Sequence, residues 1–373
     1  MSRQFFKALI ILLILFSTNI YGQGHHQGTT PAHDSPADLS IVDKKSLREE
    51  IKEEIQHHLL DSHYFDIAHD KETHEHYGFA LPVILVDDGL KVFMSSEFEH
   101  GKKVVQKNNN FYKLYHNKIY KTDSEGNIHY DENHKVTNEK PLDLSITKNV
   151  FVMFIATILL LLLFSTAAKS YKRKALPKGI ARFLEPLILY IRDEIAIPNI
   201  GKKHYKKYMS FLLTIFFFIW VLNMLGLTPF GINVTGNISV TFVLALFTFL
   251  TTNLTGNKTY WKHVFDPLGD SMPWIAKLPI YIILVPIEIL GLFVKPFSLL
   301  IRLYANISAG HIVMMSLIGL IFLFKNLIGG SMSFLLAVAI SMIEFFVALL
   351  QAYIFTMLSA LYFGLAVEEH NEH

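Results

Sequence analysis

Between Lys295 and Lys325 the only ionisable side chains besides one tyrosine are Arg302 and His311, in a run that is otherwise apolar. An arginine near the centre of a bilayer costs ~3 kcal/mol on insertion scales and more than ~10 kcal/mol in simulations of an isolated helix. Glu288, Lys295 and Arg302 recur every seven residues, so at ~100° per residue they share one helix face. Asn306 lies one turn beyond Arg302 on that side. His311, nine residues on, projects nearly the opposite way on a straight helix. In the last apolar run Glu344 and Gln351 are again seven apart, with Ser341 one turn before Glu344. Ionisable groups inside a membrane face protein or water and mark ion pathways. Two readings are open: a single buried ion pair, such as Arg302 with Glu344, or an ion-conducting path along two adjacent helices. Polar groups strung along both helices exceed what one ion pair needs, and they favour the path.

The elements that must carry these residues are long apolar runs. The chain has 373 residues, of which 51% are hydrophobic, but its two halves differ. From Asn149 onward, runs of about 18 residues or more suggest spanning helices. The expected spans are Val150–Ala168, Met209–Leu227, Ile238–Leu254, Pro279–Phe324 and Ser331–Leu365. The last two exceed a ~30 Å hydrocarbon core at ~1.5 Å per residue, so they must tilt, bend or run partly along the membrane. Pro286 and Pro296 are natural bend points. "GIARFLEPLILYIRDEI" mixes charge and apolar residues at helical spacing and is expected to lie in the interface. Residues 169–207 hold eleven Lys or Arg and three Asp or Glu, which predicts a cytoplasmic location for that segment. Five spans then leave the C-terminus in the cytoplasm and the N-terminal part outside.

Residues 1–22 have the layout of a secretory signal peptide: Arg3 and Lys7, an apolar stretch from Ala8 to Phe16, then small and polar residues to Gly22. The same polarity of insertion follows from it. Residues 23–147 read as a His-rich α+β exported extension. "DKKSLREEIKEEIQHHLL" has the apolar spacing of an amphipathic helix. "ALPVILVDDGLKVFMSS" reads as a hairpin around Asp-Asp-Gly, and "NNNFYKLYHNKIYKT" and "GNIHYDENHKV" as further short strands. Thirteen of the eighteen histidines lie in this half, without HExxH or Cys/His metal spacing. The net charge of +2 does not call for a nucleic-acid partner, and the absence of cysteine excludes a thiolate nucleophile, a disulfide or a cysteine zinc site.

"LLIRLYANISAGH" and "QAYIFTMLSALYF" resemble the signature helices of subunit a of the F-type ATP synthase, the stator of its membrane proton turbine. "LNMLGLTPFG" and "TGNISVT" resemble the same family's second span and the start of its third. The resemblance covers about Asn149 to Leu365, within the membrane domain at residues 148–373. It implies an all-α polytopic membrane protein of the bacterial inner membrane, behind the exported α+β domain. Carried over residue by residue, it makes Arg302 the essential stator arginine and Gln351 the glutamine facing it, with Asn306 its polar neighbour. Glu288 becomes an acidic residue of the proton path and Tyr362 the tyrosine near the end of the last helix. His311 and Glu344 take two half-channel positions, with carboxylate and histidine exchanged relative to some members.

The partners so implied are a rotor ring of c subunits, peripheral-stalk b subunits and the lipid bilayer, with no cofactor and no metal. No GxxxxGK[ST] is present, so ATP chemistry is expected in other subunits. The rival readings are a secondary transporter, which favours repeated halves with broken helices, and an exported metal-binding module on a membrane anchor. The short family members have no counterpart of the exported domain, and the choice between protons and sodium ions is left to the ring.

Overall fold

The computed structural model describes residues 61–69, 76–132, 135–173, 179–228, 232–269, 274–323 and 327–368. The expected signal peptide, the linker and the amphipathic segment 43–60 lie outside them. Five described helices are long and apolar enough to cross a bilayer, as the hydropathy pattern predicts. In chain order the helices are α1 (Lys148–Arg173), α2 (Ile180–Tyr190), α3 (Ile197–Ile200), α4 (Tyr205–Gly226), α5 (Ile238–Thr255), α6 (Lys258–Phe265), α7 (Trp274–Leu323) and α8 (Leu327–Val367). The spanning ones are α1, α4, α5, α7 and α8. At ~1.5 Å per residue, α7 and α8 are roughly twice as long as a bilayer core is thick. Pro279, Pro286 and Pro296 all lie inside an unbroken α7, so the expected bend points do not interrupt the helix.

Between α1 and α4 the chain forms α2, a π-helical turn over Ile191–Ala196, and α3. Together they make an unbroken helical run over residues 180–200, set apart from the five apolar spans by Arg182, Glu185, Arg192, Asp193 and Glu194. It buries Ala181, Leu184, Ile191, Ile195 and Ile200 against the bundle and exposes Ile180, Phe183, Leu189 and Tyr190. An apolar face of each kind suits a segment lying at the membrane surface.

Lipid offers no hydrogen bonds, so polar side chains in the spans bond within the protein. Thr252 and Thr255 donate to carbonyls one turn back, at 2.7 and 2.6 Å. Thr356 and Ser359 on α8 do the same at 2.8 Å each. Asn237 caps α5 by accepting from the Ser239 N–H at 2.9 Å. One end of the bundle is closed by the Asn257 N–H, which donates to the Ala366 carbonyl at 2.8 Å. The Asn257 side-chain amide donates to Val367 at 3.0 Å.

Gly364 allows α8 to approach α3 this closely. A Cβ there would lie 1.9 Å from the Asn199 carbonyl oxygen, a backbone atom that cannot step aside. Gly364→Ala is therefore expected to destabilise the bundle by ~1–3 kcal/mol through overpacking. Gly291→Ala on α7, where a Cβ meets nothing within 4 Å, is expected to be neutral. The check is the fraction of each variant that stays folded in membranes after graded heating; equal retention would remove Gly364 from this role.

The extramembrane part is built from short antiparallel strands: β1 (Tyr64–His69), β2 (His76–Ala80), β3 (Pro82–Val86), β4 (Leu90–Met94), β5 (Val105–Lys107), β6 (Asn110–Tyr115), β7 (Lys118–Thr122) and β8 (Leu142–Asp143). They form sheets β1-β2, β4-β3-β8 and β5-β6-β7. The Asp-Asp-Gly hairpin is present, with Val86 opposite Leu90 and positive φ at Asp88 (48°) and Gly89 (110°). "GNIHYDENHKV" is less regular than expected. It makes only an isolated bridge between Tyr130 and Val136, because Asp131 uses its backbone and side chain to close a local turn with Lys135. The strand at Leu142–Asp143 was not anticipated. Val83, Leu85, Phe93, Phe98, Val105, Tyr112, Leu114 and Ile119 form the domain core.

The domain is fastened to the start of α1. The Asp61 carboxylate accepts the Asn149 N–H at 3.1 Å, and the Ser62 carbonyl accepts the Lys148 N–H at 2.8 Å. A carboxylate at a helix N-terminus meets unpaired N–H groups and the positive end of the dipole. Burial pushes the Asp61 carboxyl up, and the Asn149 N–H draws it partly back. Phe65 and Phe79 stack at 4.9 Å and both meet Phe151 edge-on.

Candidate functional site

Helices α7 and α8 run antiparallel, and several of the polar residues expected on them meet across one seam. Lys295 Nζ lies 5.9 Å from the centre of the Tyr362 ring. Further along α7, Asn306 Nδ2 donates to Gln351 Oε1 at 2.8 Å. Next, Gly310 faces Glu344, whose Oε1 would be 2.7 Å from a Cβ at that position. Last, the Ser341 hydroxyl reaches Met314 Sδ at 3.6 Å. Small residues let helices approach closely in a membrane, and Gly310 leaves the space that the Glu344 carboxylate uses.

Arg302 sits within this seam, half-buried, between the Lys295–Tyr362 and Asn306–Gln351 contacts. Tyr362 is close enough to feel its charge. Among the described residues no carboxylate lies within ion-pair distance of Arg302. Both Glu344 oxygens are buried with no hydrogen-bond partner there. The simple structural pair of Arg302 with Glu344 is therefore not what the fold builds.

Two cavities flank the arginine. One, of ≈ 270 Å³, is lined by Asn223, Thr235, Asn306, His311 and Glu344 among others. It brings together the two residues that seven-residue spacing left apart: His311, only 5% exposed, and Glu344 open into the same space. The second, of ≈ 250 Å³, is lined by Tyr260, His263, Glu288, Lys295 and Glu368. Tyr260 lies on α6, outside the spans, where burial and then the Glu288 charge push its hydroxyl up. Each cavity exceeds the volume of several waters. They share no lining residue. On α7 the stretch separating them buries Leu299, Leu300 and Leu303, and on α8 it buries Ala352 and Phe355. The same stretch of α8 also buries the polar Gln351, Thr356 and Ser359. The arrangement is two separate cavities, each with titratable groups in its lining, with Arg302 on the stretch of α7 between them.

The expected residues thus divide into three groups. His311, Glu344 and Asn306 line one pocket, with Gln351 bound to Asn306. Glu288 lines the other. Arg302 and Tyr362 lie between or beside them. The sequence reading did not single out Asn223 and Thr235. Asn223 is 4% exposed, donates to the Ala348 carbonyl at 3.2 Å and accepts from Thr235 Oγ1 at 2.7 Å. The signal was an amide inside an apolar span, which needs an internal partner. His263 and Glu368 were missed because they belong to loops and helix ends, where charge is ordinary. Among the described residues no three His, Asp or Glu side chains cluster to hold a metal ion; most of the N-terminal histidines lie outside the described residues or are scattered.

The family described as "ATP synthase A chain" matches residues 150–364, a stretch that includes both cavities' α7 and α8 residues through Tyr362. A second family, "Domain of unknown function (DUF8433)", matches residues 54–144. The chain is 45% identical over 241 residues to ATP synthase subunit a of Myxococcus xanthus, covering 62% of this chain and 77% of that protein. It is 45% identical over 240 residues to ATP synthase subunit a 2 of Chlorobaculum tepidum, covering 62% and 66%. It is 41% identical over 268 residues to ATP synthase subunit a of Pelodictyon phaeoclathratiforme, covering 69% and 75%.

Proposed function

Because the chain belongs to the ATP synthase A chain family, we propose that it is the stator of the proton path in the membrane sector of an F-type ATP synthase. The observation that carries this reading is the pair of separate cavities on either side of Arg302, each with titratable groups in its lining. Each cavity is read as a half-channel. A proton arriving in one binds a ring carboxylate, travels with the ring through lipid as a neutral acid, and leaves through the other. An ionised ring carboxylate cannot enter lipid, whereas it is attracted to the permanent charge of Arg302. That charge favours loss of the carboxyl's proton where ring meets stator, and the stretch around it keeps the cavities separate. Each proton that crosses yields ~2.3 kcal/mol per 100 mV, and a leak would release this as heat. Exposed apolar side chains along α7 and α8, among them Phe293, Phe297, Phe334 and Phe346, suit contact with lipid and with a ring of c subunits. ATP chemistry and the peripheral-stalk b subunits belong to the rest of the complex.

Charge distribution orients the chain. The extramembrane domain and the α4–α5 loop are placed in the periplasm, with α2, α3, α6 and the C-terminus in the cytoplasm. The His311–Glu344 cavity, lined by Ile232, Asn233 and Thr235 of the α4–α5 loop, then opens to the periplasm. The Glu288–His263 cavity opens to the cytoplasm. Residues 1–22 are read as a removed signal peptide, consistent with export of the domain.

The chain has no cysteine, so single introduced thiols test this directly. With the outer membrane made permeable, a membrane-impermeant thiol reagent is expected to label Ser124→Cys and Asn233→Cys from outside intact cells. It is expected to label Lys203→Cys and His263→Cys only in inverted vesicles. Labelling of Lys203→Cys but not Ser124→Cys in intact cells would reverse the topology. Labelling of His263→Cys and Asn233→Cys from the same side would rule out two half-channels.

A further inference from the structure

Helix α6 lies outside the spans, yet it supplies Thr259, Tyr260 and His263 to the lining of the second cavity. Tyr260 and Val264 are buried and pack with Ala366 of α8. The Tyr260 hydroxyl also donates to Asn253 Oδ1 at 3.1 Å. His263 follows Tyr260 by three residues and so shares that side of the helix, but it stays exposed. The two Asn257 bonds to the Ala366 and Val367 carbonyls hold α6 against the end of α8. Glu368, the residue after Val367, is likewise exposed and lines the same cavity. Each of these two elements therefore brings an exposed titratable side chain to the cavity, whereas Glu288 on α7 is half-buried. Among the described residues no cation lies within ion-pair distance of Glu288.

We propose that His263 is the proton-exchanging group at the mouth of this cavity, carrying protons between bulk water and Glu288. The inference rests on the half-channel reading above. Supply is the physical reason. At neutral pH free protons stand at ~10⁻⁷ M, so an encounter rate of ~10¹⁰ M⁻¹s⁻¹ brings only ~10³ per second to one carboxylate. An exposed imidazole beside it adds a second point of capture and release.

The other charged groups around the mouth are Lys262 on the same helix, Asp266 at its end, Lys295 on α7 and Glu368. Asp266 accepts the Tyr281 hydroxyl, and Lys295 lies over the Tyr362 ring. Of the side-chain types gathered here, only imidazole ordinarily changes charge between about pH 5 and 8. In the inward direction the imidazolium releases a ring proton to cavity water, and a water passes one to the Glu288 carboxylate. The neutral ring then takes the next proton from bulk water. Outward flow reverses these steps.

Inverted membrane vesicles carrying the whole membrane sector, with the catalytic head stripped off, present this mouth to the medium. Proton uptake is driven by a potassium diffusion potential in nearly unbuffered medium slightly above neutral pH. His263→Ala is expected to slow uptake by between ~3-fold and the ~10²-fold that a positioned acid–base group contributes. Adding HEPES outside, as a membrane-impermeant proton carrier, is expected to bring the variant back toward wild type. Lys262→Gln removes an exposed charge outside the cavity lining and is expected to conduct as wild type does. Wild-type uptake by His263→Ala in unbuffered medium would overturn the proposal. So would a loss that HEPES does not restore, which would make His263 a structural residue. An equal loss in Lys262→Gln would make surface charge the cause and overturn it too. Failure of the half-channel reading looks different: Arg302→Ala would then make ATP at near-normal rates, whatever His263→Ala does.

Discussion

Arg302→Ala is expected to leave an assembled complex that makes no ATP from a proton gradient. Assembly persists because nothing is orphaned by the change. Removing one partner of a buried ion pair costs ~3–5 kcal/mol through the charge left behind, but among the described residues Arg302 has no carboxylate in ion-pair distance. The neighbouring contacts, Asn306 with Gln351 and Lys295 with Tyr362, do not use the guanidinium. On the proposed mechanism function is lost because the stretch between the cavities then holds no fixed cation. A ring carboxylate reaching the stator has nothing to favour its ionised form, so its proton is not delivered. Arg302→Lys is expected to recover little, since an ammonium is a point charge that is easily neutralised on burial, whereas guanidinium stays charged. The measurement is ATP synthesis in vesicles energised to a common gradient and matched for the amount of complex. Near-normal synthesis by the alanine variant would sink the mechanism. Loss of the complex itself would show that Arg302 is a structural partner after all.

The second large effect concerns His311 and Glu344, which line one cavity. Glu344 brings a carboxylate whose oxygens are buried and unbonded among the described residues. Histidine is the side chain that exchanges protons most readily near neutrality. If the two pass protons through water in this space, what matters is that one of each kind is present. His311→Glu alone sets two carboxylates around the same cavity, and like charges at close range disfavour ionisation of both. His311→Glu combined with Glu344→His restores one acid and one imidazole. The double variant is therefore expected to conduct faster than the His311→Glu single variant. Gly310 leaves the space in which the group at residue 344 sits, since a Cβ there would lie 2.7 Å from Glu344 Oε1. Passive proton flux through the membrane sector, after the catalytic head is stripped off, provides the measurement. A double variant no better than the worse single one would show that the two residues do not work as a coupled pair.

Much of the architecture was legible in the chain because it rests on local signals. Apolar runs of sufficient length can only be helices in lipid, and all five appear, with ends shifted by a few residues. The Asp87-Asp88-Gly89 hairpin is readable for a similar reason, since the turn needs positive φ and its sequence tolerates it. Arg302, Glu288 and Glu344 stand out because a charge inside an apolar run is costly wherever the helix packs. Tertiary structure alone decided how they are shared out. Helical spacing sets His311 on the side of α7 away from Arg302, and only the antiparallel register of α8 brings Glu344 opposite Gly310 and into the cavity of His311. That register depends on contacts such as Asn306 with Gln351, 45 residues apart, and no window along one helix contains both sides of it. The same holds for Asn223 and Thr235, joined across the α4–α5 loop, and for Asp61, which meets the start of α1 from 88 residues away. A helix determines its own faces through its 3.6-residue period, but which neighbour each face meets depends on how all the helices fill space together.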